Sequence, residues 1–63
     1  MNQQALSERN EIVAELDTVI RDLEAAANEV DGQRGIGAES CISVLRQTAA
    51  EYRRLRNRLA TIS

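Results

Sequence analysis

Histidine, proline, lysine, tryptophan and phenylalanine are absent from this chain, and cysteine and tyrosine occur once each. Each absence removes a class of function. Without histidine there is no Ser-His-Asp or Cys-His catalysis, and one cysteine leaves no ordinary zinc site. A di-iron bundle needs Glu-x-x-His motifs beside its glutamates, so Glu11 and Glu15, four apart on one helix face, read as a solvated face. A single ring, Tyr52, argues against a ligand pocket lined by aromatics. No catalytic, metal-binding or cofactor-binding residue is expected, and the chain reads as non-enzymatic.

Long apolar runs are missing too. No stretch approaches the ~18 residues of a membrane span. Met1-Asn2-Gln3-Gln4 shows neither the basic nor the apolar part of a signal peptide. With the lone Cys41, which favours a reducing compartment, the expected location is the cytoplasm.

Glycine is scarce and concentrated. Gly32, Gly35 and Gly37 are the only three, and all lie in Asp31-Gly32-Gln33-Arg34-Gly35-Ile36-Gly37. A phosphate-binding loop would need a preceding strand and a Lys-Ser/Thr pair after its last glycine, and this segment has neither. It reads as the bend of a helical hairpin. Gly32 is the expected left-handed residue closing the first helix, and Ile36 is expected to fold back over the end of the hairpin. The 63 residues then form a single domain: helix 1 over about residues 4–30, a turn over 31–37, and helix 2 over about 38–61. Ser7, or Asn2 for an earlier start, is the candidate N-cap of helix 1.

What is present is heptad-spaced aliphatic side chains. In helix 1, Ile12, Leu16, Val19, Leu23, Ala26 and Val30 alternate spacings of four and three. Arg9 is the polar member of that seam. In helix 2, Ala38, Cys41, Leu45, Thr48, Tyr52, Leu55, Leu59 and Ile62 alternate in the same way. Ile12, Leu16, Val19, Leu23, Leu45, Tyr52, Leu55 and Leu59 are therefore expected to form the hairpin core. Cys41, on the seam and with no histidine to activate it, reads as a buried small hydrophobe. Folding at residue 34 brings Leu16 opposite Tyr52 and Ile12 opposite Leu55.

A second apolar line lies beside the first. Leu6, Val13, Ile20 and Ala27 are seven apart, and Ile42 and Ala49 flank the seam of helix 2. A stripe this wide suits two neighbours rather than one, and a core this small rarely supplies more than ~3–5 kcal/mol unaided. These six residues are the expected self-association seam. The fold expected is all-α: an antiparallel hairpin of two long helices that dimerises into a four-helix bundle.

Net charge is −2 but unevenly divided. Residues 1–32 hold eight acids against Arg9 and Arg21. Residues 33–63 hold six arginines against Glu39 and Glu51. Opposite signs facing each other favour antiparallel pairing, although each surface pair is worth only ~0–1 kcal/mol. The run Tyr52-Arg53-Arg54-Leu55-Arg56-Asn57-Arg58 has the composition of a nucleic-acid patch. At about 100° per residue its arginines scatter around the helix instead of forming a stripe. Arg53, Arg54 and Arg58 are the candidate contacts for a nucleic acid or an acidic partner, and neither a nucleic acid nor a membrane is the expected partner.

In layout, two similar helices in a 63-residue hairpin, the chain resembles the Rop family of plasmid copy-number repressors. Those proteins dimerise into four-helix bundles and bind paired RNA loops. The outline is also similar to small type III secretion chaperones and to WXG-type secreted hairpins, without the Trp-x-Gly turn of the latter. The resemblance implies an RNA- or DNA-binding regulator; in that family the RNA-binding face is on the first helix, which here is net acidic, so in this sequence the contact would fall to the arginines of helix 2. Against it stands the reading from the residues themselves: a small protein–protein interaction module, an adaptor, chaperone or regulatory subunit, whose partners are itself and another protein.

Overall fold

The computed structural model describes residues 3–62; Met1, Asn2 and Ser63, and with them the alternative cap at Asn2, lie outside the described residues. Two helices account for nearly all of it: α1 over Gln3–Gln33 and α2 over Ala38–Ala60. They pack against each other as a hairpin measuring 50 × 14 × 10 Å. A compact globule of this length would have a radius of gyration of roughly 11 Å; the hairpin's is 14.9 Å. There is one layer of two helices and no second layer to cover it.

Helix α1 runs a turn further than the glycine at its end suggests. Gly32 lies inside the helix, and the left-handed residue is Arg34, at φ 45°. The amide of Arg34 donates to the carbonyl of Val30 at 3.0 Å, and its guanidinium meets Asp31 at 2.9 Å. A non-glycine residue in this conformation costs ~1–2 kcal/mol, which the closing hydrogen bond partly offsets. Gly37, at φ 80°, sits at the N-cap of α2 with its carbonyl accepting from the amide of Cys41. With only residues 34–37 between the helices there is no slack to fold a side chain back, and Ile36 projects fully into solvent rather than over the hairpin end.

The chain thus turns between 34 and 37 and not at 34. The ladder slides by about one helical turn. Val30 comes about level with Ile42, Leu23 with Ala49, and Ile20 with Tyr52.

The inner face of α1 consists of Leu6, Arg9, Val13, Leu16, Ile20, Leu23, Ala27 and Val30, all buried or half-buried and alternately three and four apart. That of α2 is Ala38, Ile42, Leu45, Ala49, Tyr52, Arg56 and Leu59. The buried members are Ile20, Ala27, Ile42 and Ala49. These four were expected to face a second copy; they face the other helix of the same chain. Ile12, Val19 and Leu55, expected in the hairpin core, are 47%, 39% and 47% exposed. Leu16, Leu23, Leu45, Tyr52 and Leu59, expected there as well, are on the inner face.

Charge favours this rotation. Over residues 12–27 the lines Ile12-Val19-Ala26 and Val13-Ile20-Ala27 contain the same three residue types, and hydrophobicity separates them only in the preceding heptad, where Leu6 extends the second. Turning Val13, Ile20 and Ala27 inward puts Asp17, Glu24 and Asp31 along the edge of the contact, where Arg56, Arg53 and Arg46 meet them. Turning Ile12, Val19 and Ala26 inward would put Glu8, Glu15, Asp22 and Glu29 at that edge, opposite Glu51 and Arg58. Small side chains at Ala27 and Ala49 also let the backbones approach.

Candidate interaction face

The hairpin has two unlike sides. Along one edge runs a ladder of cross-helix ion pairs: Asp17 with Arg56 at 2.5 Å, Glu24 with Arg53, and Asp31 with Arg46 at 3.9 Å. In α1 these acids lie four residues beyond Val13, Ile20 and Ala27, one step round the helix from the buried line. The open line Ile12-Val19-Ala26 lies one step round in the other direction. In an antiparallel pair the same holds for α2: Arg46 and Arg53 flank Ile42 and Ala49 on the ion-paired side, while Cys41, Thr48 and Leu55 lie away from it and the exposed Ile62 follows just past the helix end. The open line of α1 and the open line of α2 therefore share one face.

That face is apolar and largely uncovered. Ile12 and Leu55 are each about half exposed, Val44 is 62% exposed and Ile62 51%. Cys41 is exposed, not the buried hydrophobe expected, because the rotation that buries Ile42 turns its neighbour outward. Thr48 and Ala26 are half-buried between the rows. With the ladder as registered by the ion pairs, Val19 and Leu55, and likewise Ile12 and Ile62, come within about a turn of each other. The result is a face on which the exposed aliphatic side chains Ile12, Val19, Val44, Leu55 and Ile62 alternate with Thr48 and Cys41.

The open end is closed by Arg9. Its guanidinium donates to the carbonyl of Ile62 and, at 3.4 Å, to the side-chain oxygen of Asn10. A cation just past the C-terminal end of α2 also complements the helix dipole. The Arg9 Nε is buried without a partner, so the seam accepts this polar side chain at some cost. Leu6 and Val13, the outer members of the expected self-association seam, are half-buried beside it.

The arginine-rich run is broken up by the fold. Arg53 is engaged by Glu24 and Arg56 by Asp17, while Arg54 and Arg58 point elsewhere without an ion-pair partner among the described residues. No cationic stripe forms. The hollow at the bend is lined by Arg34, Gly35, Gly37, Ala38, Glu39 and Ser40; Glu39 disfavours an anion there. Among the described residues no group of acids and cysteine is placed to hold a metal ion, and no described helix is long and apolar enough to cross a membrane.

No family model matches this chain, and neither a curated protein nor a solved structure is significantly similar to it.

Sequence reasoning located the apolar lines and the bend; within the single hairpin Ile20, Ala27, Ile42 and Ala49 are the buried ones, and Ile12, Val19 and Leu55 are exposed. A signal that could have separated them was present: the acids flanking Val13, Ile20 and Ala27 find arginines at matching places on α2, whereas those flanking Ile12, Val19 and Ala26 do not.

Proposed function

We propose that this protein is a non-enzymatic interaction module, an adaptor, chaperone or regulatory subunit, that works as a homodimer of hairpins joined through the strip formed by Ile12, Val19, Val44, Leu55 and Ile62. The observation that carries the reading is the two-sidedness of the hairpin. One edge is closed by ion pairs and the opposite face exposes large aliphatic side chains. Contiguous exposed apolar patches on soluble proteins mark interaction surfaces. The intramolecular core supports this, since its four buried side chains include two alanines. Covering the strip completes a second layer and turns a hairpin into a four-helix bundle.

Val19→Asp places a charge on the strip without entering the hairpin seam. Sedimentation equilibrium is expected to show wild type as a dimer at micromolar concentration and Val19→Asp as a helical monomer. A wild-type chain that stays a folded monomer throughout that range would refute the reading.

A further inference from the structure

The same strip carries a flank of charge, and resting on the interaction reading above we infer how the second copy sits: both hairpins have their bends at the same end, so that α1 of each lies on α2 of the other. Glu8, Glu15, Asp22 and Glu29 are seven apart and run beside Ile12, Val19 and Ala26 on the outer edge of the strip. The edge beside α2 carries Glu51 and Arg58, with Arg54 one position further round. Among the described residues, neither Glu15 nor Arg58 has an ion-pair partner within the chain.

Two symmetric arrangements cover the strip. With the bends at opposite ends, α1 lies on α1 and the acidic row faces its own copy, Glu15 near Asp22 of the second molecule and Glu8 near Glu29, against which the only favourable contact is Glu51 near Arg58. Like charges directly opposed destabilise. With the bends at the same end, heights along the hairpin are preserved: Glu15 of one copy comes beside Arg58 of the other, with Arg54 a turn away, and the one like-charge approach is that of Asp22 to Glu51. Both copies make the contact of Glu15 with Arg58, so it occurs twice. Complementarity of charge across a shared apolar core selects orientation in this way.

The dimer dissociation constant is measured by sedimentation equilibrium at low salt for wild type, Glu15→Gln, Arg58→Gln and the exchanged pair Glu15→Arg with Arg58→Glu, with circular dichroism to check helix content. Each single variant is expected to weaken the dimer roughly three- to tenfold, with the contact present twice, and the exchanged pair to recover most of the loss. Tighter association of Glu15→Gln would overturn the arrangement in favour of bends at opposite ends while leaving the interaction reading standing. Unchanged constants in all variants would overturn it as well. A wild-type chain that never associates removes the interaction reading itself and this inference with it.

Discussion

Asp17 of α1 and Arg56 of α2 meet at 2.5 Å across the hairpin, each about two-thirds buried. Arg56 occupies a place on the line of Ile42 and Ala49 where an apolar side chain would be expected. Its stem covers the neighbouring seam while the guanidinium turns to the edge, held by Asp17 and by the Asn57 side chain at 3.1 Å.

Asp17→Ala is expected to cost about 1 kcal/mol, since the pair is partly screened by solvent. Arg56→Ala should cost more, because packing is lost with the charge. Replacing Arg56 by Leu together with Asp17→Ala should come close to wild type, as an apolar substitute fills the seam without stranding a carboxylate. Thermal melts of the four chains at one fixed protein concentration test these expectations.

Gly32 is helical and open space surrounds the position of an added Cβ. Gly32→Ala should therefore raise stability by ~0.5–1 kcal/mol. Arg34→Gly should do likewise, by ~0.5–1 kcal/mol, since it relieves a left-handed arginine at the loss of only an exposed ion pair with Asp31. A lower melting temperature for Gly32→Ala would mean that the helix ends at Gly32 after all.

Ile20 and Val19 are adjacent in sequence and opposite in role. Ile20→Asp buries a carboxylate between α1 and α2, at a cost of several kcal/mol. The expected outcome is loss of the hairpin itself, read as non-cooperative melting and collapsed amide dispersion. Val19→Asp should lose assembly and keep helicity. If the two variants behave alike, the rotation of α1 is not the one described.

Cys41 reports on the strip from within it. In the isolated hairpin the thiol is exposed, so at nanomolar concentration it should react with a maleimide as fast as a free thiol. At concentrations where the strip is covered the rate should fall at least tenfold. A rate independent of protein concentration would show that nothing covers this face.

Much of this architecture is legible without coordinates. The lack of proline, the gathering of three glycines within seven residues, and the heptad spacing on both sides determine two long helices and one bend. The division of acids and arginines between the halves favours their antiparallel pairing. The width of the apolar stripe is legible as well, and so is the insufficiency of one neighbour to cover it.

Which part of the stripe faces inward was decided only by the tertiary structure. In α1 the central line Leu16-Leu23-Val30 has an equivalent neighbour on either side, Ile12-Val19-Ala26 or Val13-Ile20-Ala27, and the two have the same composition. Two helices in contact use two lines, not three, so one of the outer lines is left over. Along α1 itself only Leu6, one heptad before Val13, distinguishes them. The choice depends on what stands opposite across the hairpin, where Arg46, Arg53 and Arg56 meet Asp31, Glu24 and Asp17 on one side and no such set is available on the other. The exposed strip is the complement of that pairing.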